Sequence, residues 1–154
     1  MTRNSVRPVV QALVLSLACI AAAQAALDPK ESAIAQHVAT GQPAAEALLA
    51  RVVDIESPTE NVAGVRAVGD AFAEELRAIG FRTRWVGLPP EMKRAGHLVA
   101  ETGGTRGQRL LLLGHIDTVL AGEPFRRDGT RAYGTGATDM KGGAVVMLQA
   151  LQAL

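Results

Sequence analysis

Three side chains in this sequence are of types that can bind or support a divalent metal: His115, Asp117 and Asp139. His115 and Asp117 lie at the end of Leu110-Leu111-Leu112-Leu113-Gly114-His115-Ile116-Asp117-Thr118-Val119. In an extended chain, residues two apart face the same way. An imidazole can bind a metal through one ring nitrogen while a neighbouring carboxylate holds the other N–H, fixing tautomer and orientation. Taken alone, the His-x-Asp pair is better explained as chance in a polar loop.

Asp139 belongs to a second segment, Tyr133-Gly134-Thr135-Gly136-Ala137-Thr138-Asp139-Met140-Lys141-Gly142-Gly143, which leads into a helical pattern. Its glycines permit close backbone approach. A carboxylate at a helix start benefits from exposed N–H groups, and its two oxygens can bridge two metal ions. An ordinary helix cap is the alternative use of Asp139. The Gly134-x-Gly136 pair does not make a dinucleotide loop. Asp139 stands where the third glycine belongs, no buried strand precedes it, and an acid there would repel a pyrophosphate.

The elements that must position these residues can be read from periodicity. Ala26 to Gln42 reads as a linker, and Pro43 as the first turn of a helix carrying Leu48, Leu49, Val52, Val53 and Ile55. Ser57-Pro58-Thr59-Glu60 reads as a capping box opening a second helix. That helix buries Val62, Val65, Val68, Phe72, Leu76 and Ile79 and stops at Gly80. Phe81 to Val86 and His97 to Glu101 alternate as strands. Arg109 to Gly114, with its four leucines, is expected to be a strand covered on both faces, delivering His115 and Asp117 at its carboxyl end. Ala121 to Gly136 reads as a loop or hairpin around Asp128-Gly129, and a helix is expected from Asp139 onward. This order indicates an α/β layer fold.

Composition sets the outer bounds. Of 154 residues, 48% are hydrophobic, enough for one modest domain, and the net charge of +1 gives no electrostatic case for nucleic acid. Residues 1–25 read as a signal peptide. Arg3 and Arg7 precede an apolar stretch, Val9 to Ile20, that is too short for a comfortable membrane span, and Ala23-Gln24-Ala25 fits a cleavage site. The expected location is periplasmic or extracellular. The single cysteine, Cys19, falls inside this leader in a poor lipoprotein box. The mature chain would hold metal through His and carboxylate alone.

Together the two motifs resemble the co-catalytic zinc peptidases of the glutamate carboxypeptidase and aminoacylase family, which includes acetylornithine deacetylase and succinyl-diaminopimelate desuccinylase. The resemblance covers residues 43–154. Ile55-Glu56-Ser57-Pro58-Thr59 matches the family's early helix-to-helix turn. Glu123-Pro124-Phe125 and Ala132-Tyr133-Gly134 look most like the glutamate carboxypeptidase branch. The resemblance implies a three-layer αβα zinc-peptidase catalytic domain with a mixed sheet flanked by helices. It implies two zinc ions, with His115 a ligand of one, Asp139 bridging both, and Asp117 the catalytic residue that orients His115. It also implies a cis peptide between Asp139 and Met140, and a peptide or N-acyl amino acid as substrate.

The family's Glu-Glu pair, later ligands and dimerisation domain have no counterpart after Asp139. The chain is therefore expected to be the N-terminal portion of such an enzyme. Alone it should be inactive and bind zinc poorly, with homodimers confined to the full-length protein. A non-catalytic binding module of the same fold is the first alternative, and a nucleotide-binding α/β protein the second. Glu74-Glu75 reads as a solvated helix face, and His37 and His97 as ordinary histidines. Lys141 reads either as setting local charge or as a salt-bridged surface lysine. Trp85 reads as strand packing, and Arg126, Arg127 and Arg131 as a solvated loop.

Overall fold

The computed structural model describes residues 27–105 and 107–154. The expected signal peptide and Cys19 lie outside the described residues. The described residues fall into two units divided between Ala33 and Ile34.

The described part of the first unit is a helix start. Asp28 Oδ1 accepts from the backbone N–H of Lys30 and Glu31, at 2.7 and 2.9 Å, and Glu31 Oε2 accepts from the Asp28 N–H at 2.9 Å. This reciprocal capping box satisfies N–H groups that have no partner within the helix. Pro29 then occupies the first helical position, and α1 runs Pro29–Val53. The expected linker over 26–42 is therefore helix, and Pro43 lies inside it rather than in its first turn. The reason is local: the Asp28 cap fixes the start well upstream, and the stretch before Pro43 is exposed, so its weak apolar periodicity carried no signal.

In the second unit, α1 packs against α2 (Val62–Ala78) and α3 (Gly142–Ala153). Leu48 and Val52 of α1, Val68, Ala71 and Phe72 of α2, and Ala144, Val145 and Leu148 of α3 form one buried cluster. Burial of each large side chain there contributes about 1.5–3 kcal/mol. Of the face expected of α2, Val65, Val68 and Phe72 are buried, Leu76 and Ile79 are half-buried against the cluster, and Val62 stays exposed. Gly80 (φ 88°) provides the stop, a left-handed position that favours glycine. The N-cap of α2 is Asn61, however, whose Oδ1 accepts from the Gly64 N–H at 3.0 Å. Ser57 does not cap it.

β1 (Arg82–Val86) and β2 (His97–Glu101) form an antiparallel ribbon pairing Arg82 with Glu101 and Val86 with His97. Trp85 packs against α2, where a side chain added at Gly69 would meet its ring at 2.6 Å. A second ribbon pairs β3 (Arg126–Asp128) with β4 (Arg131–Tyr133) around Gly129, as the hairpin reading expected. The α/β character holds, but these ribbons are separate, and no mixed central sheet forms among the described residues.

The leucine run marks the main departure. Leu110 to Leu113 form no strand and are 83, 80, 52 and 77% exposed. A doubly covered strand needs partners on its edges and layers on its faces. Among the described residues no strand lies alongside it, so burial worth about 1.5–3 kcal/mol per leucine goes unrealised.

Candidate metal centre

Two segments build the site. The first is the extended stretch after the leucine run, clamped by a parallel bridge between Pro58 and Thr118. Thr118 N–H donates to the Ser57 carbonyl at 2.8 Å, and Thr59 N–H donates to the Thr118 carbonyl at 3.0 Å. Ser57, almost wholly buried, donates its hydroxyl to the Ile116 carbonyl at 3.1 Å. Residues 57–59 are thus committed to an extended pairing, which explains why they cannot open α2.

The second segment is a wide helical turn, Ala137–Lys141, in front of α3. It is entered through Gly136 (φ 79°), where an added Cβ would meet Thr118 Cγ2 at 2.6 Å. Asp139 and Met140 depart from helical dihedrals, and their peptide is cis, as the resemblance implied. Asp139 lies three residues before α3 and makes no capping bond to it, so the cap alternative does not describe it.

The two segments bring His115 and Asp139 face to face, with Nε2 of His115 2.9 Å from Oδ1 of Asp139. Asp117 closes the other side of the ring. His115 Nδ1 lies 3.0 Å from the Asp117 carbonyl oxygen and 3.3 Å from Asp117 Oδ1. Asp117 Oδ2 accepts from the Thr59 hydroxyl at 2.6 Å. The three expected residues therefore converge, although not at the end of a sheet. Their side chains stay open to solvent, at 45% for His115, 31% for Asp117 and 76% for Asp139.

This geometry calls for positive charge at Nε2. Nδ1 faces two acceptors and so carries a proton. Nε2 faces a carboxylate, so a proton or a cation belongs between them. Partial burial would lower the His115 pKa. The hydrogen bond to Asp139, the Asp117 carbonyl and the charges of Asp139 and Asp117 outweigh it and raise the value above that of an ordinary histidine.

Lys141 is neither a surface lysine nor a salt-bridge partner. Its side chain is 1% exposed, the largest fully buried one among the described residues. Its Nζ donates to the Ile55 carbonyl at 2.9 Å, tying the wide turn to the end of the first helix. Burial pushes its pKa down, opposed by the charge of Asp54. Lys141 also lines a cavity of about 200 Å³ with Asp54, Ile55, Ser57, Thr118 and Thr135; His115 and Asp139 lie outside it.

The other charged candidates are engaged elsewhere or exposed. Arg127 pairs with Glu46, Arg126 stacks on Tyr133 and Glu74 pairs with Arg51. His37 on α1 and His97 on β2 are exposed. Sequence reasoning missed Thr59 and Ser57 as parts of the site, and for Lys141 it missed the buried tie to Ile55. Their partners lie 58 or more residues away, and no local pattern announces such contacts.

The sequence also has recognisable relatives. Residues 111–154 match the model of peptidase family M20/M25/M40, a span holding His115, Asp117 and Asp139. Carboxypeptidase G2 of Pseudomonas sp. (strain RS-16) is 34% identical over 160 residues, covering 99% of this chain and 37% of that protein. A protein described as "Putative succinyl-diaminopimelate desuccinylase DapE" from Mycobacterium tuberculosis is 38% identical over 104 residues, covering 66% of this chain and 27% of that protein. The chain therefore spans about a third of the length of these curated relatives. With the two motifs, their convergence and these similarities in hand, the chain belongs to peptidase family M20/M25/M40.

Proposed function

We propose that this chain supplies part of the metal site of a zinc-dependent hydrolase that cleaves a peptide or amide bond, as a glutamate carboxypeptidase or an N-acyl amino acid deacylase does. The observation that carries this reading is His115 Nε2 facing Asp139 Oδ1 at 2.9 Å while Asp117 holds the far side of the ring. Two facing donors, one nitrogen and one oxygen, fit the ligand preferences of zinc. His115 would bind one ion, and Asp139, whose side chain is 76% exposed, would bridge to another. Bound zinc would supply Lewis acidity toward a substrate carbonyl and acidify a water molecule.

The residues of this chain have narrower tasks. Asp117 keeps a proton on His115 Nδ1, which leaves Nε2 as the metal-facing atom. The Gly136 turn and Lys141 hold Asp139 opposite it. A catalytic zinc needs about three protein ligands. Among the described residues no group of three or more His, Cys, Asp or Glu is placed to hold an ion. The remaining donors and the general base belong, in this reading, to polypeptide matching the rest of the relatives' length. The chain by itself gives no turnover. Residues 1–25 act as a cleaved signal peptide, the location is periplasmic or extracellular, and dimerisation is a property of the complete protein.

The test is zinc binding followed at His115 by ¹⁵N NMR of residues 26–154, with hydrolysis of acyl-glutamates measured in parallel. Zinc should shift the His115 ring signals, and both His115→Ala and Asp139→Ala should weaken binding at least tenfold. Unchanged zinc affinity in both variants would sink the metal reading and favour a non-catalytic binding module.

A further inference from the structure

We propose that Thr59 is a positioning residue of this metal centre: its hydroxyl fixes the plane of the Asp117 carboxylate, and through it the orientation of the His115 ring. The inference rests on the metal reading of His115 and Asp139 and adds a residue to it.

Three hydroxyls gather at the parallel bridge, and they are used differently. Ser57 donates to the Ile116 carbonyl and Thr118 to the Leu120 carbonyl. Both hold backbone. Thr59 instead points at a side chain of the cluster, 2.6 Å from Asp117 Oδ2. Its alternative acceptor, the Thr118 carbonyl, is 3.3 Å away, so the carboxylate receives the shorter bond. A hydrogen bond to an ionised carboxylate is about twice as strong as a neutral one.

Each oxygen of Asp117 then has its own partner. Oδ1 lies 3.3 Å from His115 Nδ1, beside the 3.0 Å bond that Nδ1 makes to the Asp117 carbonyl, and Oδ2 lies toward Thr59. Held by the imidazole alone, the carboxylate could rotate about its terminal torsion, which is broad and roughly two-fold. A second anchor on the opposite oxygen removes that freedom. The anchor is itself immobile, because Thr59 N–H donates to the Thr118 carbonyl and Thr118 N–H to the Ser57 carbonyl. Asp117 is thus held between His115, two positions before it, and Thr59, 58 positions before it. The relay runs Thr59, Asp117, His115, Asp139.

Outer partners of metal-binding histidines typically change metal affinity by roughly 10–100-fold when removed. Thr59 stands one step further out, so the lower end applies. The experiment compares wild type with Thr59→Val, Thr59→Ala and Thr59→Ser in the full chain. Thr59→Val keeps the shape and removes the hydroxyl. Thr59→Ala leaves both backbone bonds of the bridge free to form if valine disturbs the fold. Thr59→Ser restores the hydroxyl.

Zinc affinity is read from the His115 ring ¹⁵N signals, the Nδ1–H proton is followed without metal, and thermal unfolding is followed separately. Thr59→Val and Thr59→Ala should weaken zinc binding about tenfold and broaden the Nδ1–H signal, while Thr59→Ser stays within about twofold of wild type. A merely structural threonine would lower the unfolding midpoint and leave the zinc affinity of folded molecules and the Nδ1–H signal alone. That outcome overturns the proposal. If zinc in large excess fails to shift His115 in wild type, the metal reading falls. The Nδ1–H signal then judges Thr59 alone: its loss in the valine or alanine variant supports the positioning role, and its persistence refutes it.

Discussion

Asp28-Pro29-Lys30-Glu31 and Ser57-Pro58-Thr59-Glu60 follow one pattern, a short polar residue, proline, any residue, glutamate. Each has the form of a helix start. Only the first is one. Asp28 and Glu31 satisfy each other's neighbouring N–H groups within four residues, and α1 follows at once. The second is drawn into an extended pairing with residues 116–118, and α2 starts later, capped by Asn61. Local preference for a cap is worth about 1 kcal/mol. The bridge, the buried Ser57 hydroxyl and the Thr59–Asp117 bond together outweigh it, at about 0.5–1.5 kcal/mol for each neutral bond and about 1.5–3 for the charged one. The same four-residue pattern therefore has two outcomes, decided by what the tertiary structure brings alongside.

If that contrast is right, the second motif answers to distant residues and the first does not. The largest effect should come from Lys141, which anchors the wide turn to Ile55 beside the bridge. Lys141→Ala leaves a cavity and an unpaired carbonyl, and unfolding stability in urea should drop by about 3 kcal/mol. Amide exchange at Thr59 and Thr118 should speed up together. A loss below about 0.5 kcal/mol would break the link between the turn and the motif.

Ser57→Ala should cost about 1–2 kcal/mol, since it strips a buried hydrogen bond from the Ile116 carbonyl. Hydrogen exchange decides the interpretation. The Thr118 amide should lose protection while the Gly64 amide, held by Asn61, keeps it. Fraying at Gly64 would restore the helix-start reading of this motif.

Asp28→Ala should cost about 1 kcal/mol of helix stability and expose the amides of Lys30 and Glu31. Nothing should change at residues 57–59. An effect there would mean that the first motif is not local.

The smallest expected effect concerns the cluster that the second motif supports. His115 has its pKa raised in the folded chain, so the metal-free protein gains stability from this group below the unfolded value near 6.5. That gain is lost as pH rises through the folded pKa. With the side chain nearly half exposed, solvent screening holds it to a few tenths of a kcal/mol. Asp139→Asn should lower the His115 midpoint in an NMR titration, whereas an unchanged midpoint would remove Asp139 from the pair. Zinc competes with the same proton, so zinc affinity should increase with pH through that midpoint.

Much of this protein was legible without coordinates. The buried face of α2, its stop at Gly80, the two strands of the first ribbon and the hairpin at Gly129 follow from periodicities and turn residues within a few positions. His115, Asp117 and Asp139 were legible as a set because two motifs stood in order with the residue types a metal prefers. The helix, strand and turn signals are local, fixed by covalent geometry over a single turn or strand, whereas the site residues were legible as a set through the family resemblance of their two motifs.

The tertiary structure decided the rest. The leucine run carries a strong strand signal, yet strand pairing is a property of two segments, and Leu110 to Leu113 have no partner strand among the described residues. The burial of Lys141 depends on where the end of the first helix passes, and the choice of Thr59 as the hold on Asp117 depends on a bridge across 58 residues of chain. A sequence states what each residue is able to donate, accept or bury. Which partner arrives is settled only when the chain closes, because a hydrogen bond or a packed face belongs to both of its sides.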